Sequence, residues 1–289
     1  MEVAPHIPPS PPHMSPKKGI SLRSYAGLFS SALLRTLGVG LGIGFIFVAV
    51  GVITEVGQGN LCNVSVRTLY GDLMTYGDPY MVTDSSALVR AIERDAKDEH
   101  IIAVVLDVDS GGGLPVAGEE VAEAMQRLEK PNVAVIRSLG ASAAYWAAAG
   151  SDHIIASRSS DVGSIGVMAT FVDESEKNKQ DGVAYSEFSS GEFKTMGTPN
   201  RPITEKEEAL VKRDIDEIHE QFMQYIATAR NLTMEQVRAM SDGSTMTGTR
   251  AKDSGLVDEL GSFAEAREYI RGVTGKEPVL CEPNAEPLF

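Results

Sequence analysis

Hydrophobic positions along this chain repeat with more than one period, and the period changes from segment to segment. Residues 64–69 alternate apolar and polar side chains and are β-rich, which predicts a strand. Residues 85–98 place Leu88, Val89 and Ile92 at helical spacing. Residues 101–108 form a continuous apolar run before Gly111, Gly112 and Gly113, the pattern of a parallel strand buried on both faces. A helix is predicted over 116–128, Pro131 interrupts it, and a strand follows over 133–139. Residues 142–150 are small and apolar, suited to a tightly packed buried helix. Short strands are predicted at 154–156 and 165–167, a long charged amphipathic helix at 205–230, and a shorter helix at 233–241. The alternating charges of the long helix predict a solvated face. Repeated strand–helix alternation predicts an α/β domain with a mainly parallel sheet over residues 64–275, a size one domain accommodates.

The first 54 residues follow a different rule. Six prolines in residues 1–16 leave little that packs, so 1–35 reads as a disordered basic tail. Residues 36–54 are nineteen positions without a charge: twelve apolar, five Gly and two Thr. That is about the length needed to cross a hydrocarbon core of roughly 30 Å. The four bases of this region precede the run and Glu55 follows it, which predicts a single-pass anchor in the cell membrane, its N-terminus cytoplasmic and the bulk of the chain extracytoplasmic. A cleaved signal peptide fits less well, because its apolar region is usually only about 7–15 residues. A core helix this rich in Gly would be poor on propensity. Gly38, Gly40, Gly42 and Gly44 form two overlapping small-xxx-small pairs of the kind that pack anchors together. Residues 55–63 read as a linker and 276–289 as a C-terminal tail.

Charge narrows the partners. The net charge is −14, yet residues 1–54 carry +3, so the remainder carries −17. Such a surface repels phosphate backbones and excludes nucleic acid as a partner; membrane lipid is met only through the anchor and its basic arm. Composition, with 43% hydrophobic and 23% charged residues, excludes a wholly disordered chain. Cys62 and Cys281 fall on the outer side, where a disulfide is chemically allowed, and both a pair and two free thiols are open.

Two turns carry candidate chemistry. Asp109-Ser110-Gly111-Gly112-Gly113 and Leu139-Gly140-Ala141-Ser142-Ala143-Ala144 each follow a predicted buried strand and lead into a helix. Such turns present backbone N–H groups to an anion, either a phosphate or the oxyanion of an acyl-transfer intermediate. The second also offers a nucleophile, Ser142, although a lone serine there equally serves as a helix cap. A serine needs a base. His6 and His13 lie in the tail; His100, His153 and His219 have no surrounding signature. A desolvated lysine substitutes, because burial disfavours its charged form. Lys194 is the candidate, set in the small and apolar Ser189-Ser190-Gly191-Glu192-Phe193-Lys194-Thr195-Met196-Gly197, with Glu192 able to pair with it.

In order, these segments resemble the signal peptide peptidase A family, the serine–lysine membrane peptidases of the Clp/crotonase-like fold. The Ser110-Gly111-Gly112-Gly113 turn resembles the family's Ser-Pro-Gly-Gly. Ala141-Ser142-Ala143-Ala144-Tyr145-Trp146 resembles its nucleophile segment, usually Ala-Ser-Gly-Gly-Tyr-Tyr. Gly163-Ser164-Ile165-Gly166-Val167 matches its Gly-Ser-Ile-Gly-Val turn, and Ser190-Gly191-Glu192-Phe193-Lys194 its base segment. Ala251-Lys252-Asp253-Ser254-Gly255-Leu256-Val257-Asp258 resembles its closing segment. The departures are Gly111 in place of Pro, and Ala143 and Ala144 in place of two Gly; an Ala where φ must be positive would be strained.

The resemblance implies a Ser142–Lys194 dyad, with the backbone N–H groups of Gly112 and Ala143 as oxyanion hole and with no metal or cofactor. It implies short apolar peptides as substrates, such as signal-peptide remnants. It also implies a ring-shaped homo-oligomer in which one subunit's serine meets a neighbour's lysine. Tyr145 and Trp146 read as core aromatics beneath the nucleophile. Two other readings stand beside this one: a catalytically silent membrane scaffold or peptide-binding member of the same family, and a crotonase-type acyl-CoA enzyme.

Overall fold

The computed structural model describes residues 62–77 and 82–281. The predicted anchor at 36–54 lies outside them, and among the described residues no helix is long and apolar enough to cross a membrane.

In chain order the elements are β1 (Val64–Met74), β2 (Val82–Asp84), α1 (Ser85–Lys97), β3 (Ala103–Gly113), α2 (Pro115–Gln126), β4 (Asn132–Ala141), α3 (Ala143–Ala148), β5 (His153–Ala156), β6 (Asp161–Gly163), α4 (Ser175–Gln180), α5 (Glu205–Ala229), α6 (Met234–Arg238), β7 (Thr245–Thr247), α7 (Gly248–Asp253), β8 (Glu259–Leu260) and α8 (Phe263–Thr274). The sheet runs β2-β1-β3-β4-β5-β8, with β6 branching from the end of β4. Every pairing of named strands is parallel except β6 with β7. The α/β domain with a mainly parallel sheet is therefore present.

The apolar run predicted as a buried strand explains the layering. In β3, Val104, Leu106 and Val108 join the large core formed with α1, α2, α3 and α5, while Ala103 and Val105 join a smaller core under α8. A strand covered on both faces has no polar side to show, hence the unbroken run. Helix ends follow local rules. Asp84 caps α1 by accepting the Ala87 N–H at 3.1 Å, and Pro115 opens α2, where its missing N–H has no intrahelical role. Thr204 and Glu207 form a capping box that starts α5.

Three expectations shift. The short strand expected at 165–167 is instead β6, at Asp161–Gly163, because Ser164 turns the chain at φ 50° and donates its N–H to the Ser244 carbonyl. The long helix is only partly solvated: its last turns bury Phe222, Met223 and Ile226 against α3. The C-terminal segment is tied to the sheet rather than trailing from it. Val279 accepts the N–H groups of Asn63 and Val64, Cys281 donates to the Val64 carbonyl, and a Cys62–Cys281 disulfide closes the pairing left open by the sequence.

Candidate active site

Ser142 stands on the turn between β4 and α3. Its backbone has φ 53° and ψ −129°, outside the wells that side-chain-bearing residues normally occupy. The surroundings over-determine that conformation. The Ser142 N–H donates to the Gly163 carbonyl at 2.8 Å, and its carbonyl accepts the Trp146 N–H at 3.0 Å. Behind it α3 is buried from Ala143 to Ala148. The Tyr145 hydroxyl donates to the Leu256 carbonyl at 2.8 Å, and burial pushes that phenol well above its ordinary value. Trp146 stacks on Phe222 at 4.5 Å between ring centroids. Both aromatics are core residues beneath Ser142.

The glycine turn packs against this elbow. Gly112 has φ 101°, and a β-carbon on it would lie 2.8 Å from the Ala141 carbonyl oxygen, the Ala143 nitrogen and Ser142 Cβ. Only glycine fits there. Gly118 performs a similar service one turn into α2, where a β-carbon would meet the Ala143 carbonyl oxygen at 2.5 Å. Gly111 is different: its φ is not positive, and a β-carbon would touch only Leu139 Cδ2, at 3.6 Å. The replacement of two family glycines by alanine is also accommodated. The positive φ falls on Ser142 rather than on Ala143, which opens α3 in helical conformation. As the first helical residue, Ala143 has an N–H with no intrahelical acceptor.

Ser142 lines a cleft of about 580 Å³ with Asp72, Gly111, Gly112, Gly113, Ser164 and His219 among its walls. Asp242 stands on the same wall; the Ser244 hydroxyl at 2.6 Å and N–H at 2.9 Å hold its carboxyl below the usual range. His219 brings a buried Nε2 that has no hydrogen-bond partner among the described residues. No local pattern marked Asp72, His219 or Asp242 in the sequence, since each reaches the cleft from a distant element. Sequence reasoning placed His219 on a charged helix without a role.

Of the four residues expected at the site, the structure brings Ser142, Gly112 and Ala143 together. The Gly112 N–H is engaged: it donates to Ser110 Oγ at 3.1 Å, and that hydroxyl donates to the Gly71 carbonyl at 2.5 Å, bridging the bulge between β1 and β3. Lys194 does not line the cleft of its own chain. It sits exposed on the segment between β6 and α5, which also exposes Met168, Phe171, Val172, Tyr185 and Phe188, the last to 94%. Among the described residues, no cluster of His, Cys, Asp and Glu has the arrangement of a metal site.

The comparisons with known proteins decide the lineage. The profile of peptidase family S49 matches residues 124–273. The chain belongs to peptidase family S49. A candidate protease of Methanocaldococcus jannaschii is 32% identical over 66% of this chain and 62% of its own length. A candidate signal peptide peptidase SppA of Enterococcus faecium is 27% identical over 62% of this chain and 53% of its own. Protease 4 of Haemophilus influenzae is 31% identical over 62% of this chain but 29% of its own. The matched segment thus spans less than two thirds of each of these relatives. Within the S49 match lie the Ser142 elbow, Lys194 and the whole of α5.

Proposed function

We propose that this S49 protein is a membrane-anchored serine endopeptidase that cleaves short apolar peptides, such as signal-peptide remnants, through an acyl-enzyme formed on Ser142. The observation that carries the reading is the Ser142 elbow itself: a nucleophile held at φ 53° at the mouth of a cleft, with Gly112 packed against it. In this mechanism neutral Lys194 takes the proton from Ser142 Oγ as the oxygen attacks the peptide carbonyl. The Ala143 N–H holds the developing oxyanion, joined by the Gly112 N–H once it exchanges Ser110 Oγ for the substrate oxygen, and Lys194 returns the proton to the leaving amine. A water activated by the same lysine then releases the acyl group.

The exposed position of Lys194 supports sites shared between subunits. A segment that leaves Phe188 and Met168 in water suits a neighbouring copy. The uncharged run at 36–54 supports an anchor that keeps the cleft near the membrane surface, outside the cytoplasm.

A silent scaffold is the second reading, favoured by the engagement of the Gly112 N–H with Ser110. The test is turnover of a fluorogenic apolar peptide by the full chain in detergent, beside Ser142→Ala and Lys194→Ala. Both variants are expected to be inactive, and mixtures of the two to regain activity. Retained activity in Lys194→Ala would return the base to His219. Absence of Ser142 acylation by a fluorophosphonate would favour the scaffold.

A further inference from the structure

Lys194 rides on a loop that the fold ties down. Glu187 accepts hydrogen bonds from Thr198 Oγ1 at 2.6 Å and from Asn200 Nδ2 at 2.8 Å, closing the neck of the loop. The Glu174 N–H donates to the Pro199 carbonyl at 2.8 Å, joining the outgoing and returning chain. Two ties remain: an exposed ion pair between Lys206 and Glu192, and Arg201. Its Nη1 donates to Glu207 Oε2 at 2.8 Å and its Nη2 to Oε1 at 2.6 Å, a two-pronged ion pair. The same Nη2 reaches the carbonyl oxygen of Thr195 at 3.5 Å and its Oγ1 at 3.4 Å. Thr195 is the residue bonded to Lys194.

Glu207 is itself immobile. Its side chain is 3% exposed, and it accepts the N–H and the hydroxyl of Thr204, both at 2.9 Å, as the third residue of the α5 capping box. Arg201 therefore links the backbone beside Lys194 to the start of a 25-residue helix whose far end packs on α3 beneath Ser142. These partners hold the Glu207 carboxyl down at about 2, so the link keeps its charge at any pH where lysine-based chemistry operates.

We infer that Arg201, braced on Glu207, is a positioning residue that sets where Lys194 is presented; this rests on the Ser142–Lys194 reading above. A lysine stem is four flexible carbons, and a base must come within roughly 2.6–3.2 Å of the proton it takes. A displacement of about 1 Å costs on the order of 100-fold in rate. The loop shows its apolar side chains to solvent, and the Lys206–Glu192 pair is solvent-exposed and so contributes little, which leaves the Arg201 fork on the buried Glu207 to supply that precision.

The experiment uses the full chain in detergent and a blocked apolar tripeptide carrying a coumarin amide. Arg201→Met is expected to lower kcat about 100-fold with KM within about twofold and with assembly like wild type; its melting temperature falls, because the buried Glu207 carboxylate loses its partner, so rates are compared well below that midpoint. Arg201→Lys is expected not to rescue, since an ammonium cannot span both oxygens of Glu207 and reach Thr195. Where sites are shared, Arg201→Met chains regain activity when mixed with Ser142→Ala chains and not with Lys194→Ala chains. An unchanged kcat in Arg201→Met overturns the inference, as does rescue by Lys194→Ala chains. If Arg201→Met does not assemble, Glu207→Gln, which keeps the cap but not the charge, is read in the same way. Wild-type turnover by Lys194→Ala would instead overturn the dyad itself, so the two failures are distinct.

Discussion

Gly112 lies so close to Ser142 that a β-carbon on it would sit 2.8 Å from the serine's own Cβ. With φ at 101°, that position excludes an L side chain on two counts. Gly112→Ala is expected to lower turnover about 100-fold by displacing the elbow. Gly111→Ala, next to it, has room and ordinary backbone, so activity within about twofold of wild type is expected. Parallel rate measurements on the two variants check this, and equal losses would contradict it.

The disulfide joins residues 219 apart in sequence and pins the C-terminal segment along β1. Cross-linking so long a loop restricts the unfolded chain, so Cys62→Ser with Cys281→Ser is expected to cost about 2–4 kcal/mol. Denaturant unfolding with and without reductant measures it. A reductant-insensitive midpoint in the wild type would sink the prediction.

Trp146 is the single tryptophan of the chain and stacks on Phe222 with planes 5° apart. Its fluorescence therefore reports how α5 docks beneath α3. Phe222→Ala is expected to destabilise the domain by about 3 kcal/mol and to shift the emission to the red as water reaches the indole. An unshifted spectrum would mean that the contact is absent in solution.

Glu207 contributes a pH-dependent stability with a definite sign. Its carboxyl is lowered from 4.5 to about 2 by Arg201 first and the Thr204 N–H next. The contribution is complete above the unfolded value and is lost as pH falls through the folded one. Wild-type stability is thus expected to decline between about pH 4.5 and 2 more steeply than that of Glu207→Gln, which titrates nothing there. Thermal unfolding of both proteins across that range checks the slope.

Much of the fold was legible in the chain because neighbouring residues encode it. The run before Gly111 became β3, the small residues after Ser142 became α3, and the charged amphipathic stretch at 205–230 became α5. Where reading failed, a distant partner had decided. The 165–167 strand gave way because Ser164 bonds to Ser244, eighty positions on in the chain. The alternating charges of α5 predict a solvated face along its whole length and mask Phe222, Met223 and Ile226, which bury themselves in a single patch near its end.

The sequence by itself determined the order of the main strands and helices through α6 and the two glycine-bearing turns, since hydrophobic period and turn chemistry are local properties; it gave no sign of β2, α4, β7, α7, β8 or α8. Only the tertiary structure decided that the positive φ falls on Ser142 and spares Ala143, that Cys62 pairs with Cys281, and that Asp72, His219 and Asp242 share the serine's cleft. It also set Lys194 outside that cleft, on a loop braced by Arg201 and Glu207. The physical reason is common to all of these. Each depends on where parallel crossovers return the chain, and a crossover's landing point is set by packing across the sheet, which no short window of residues contains.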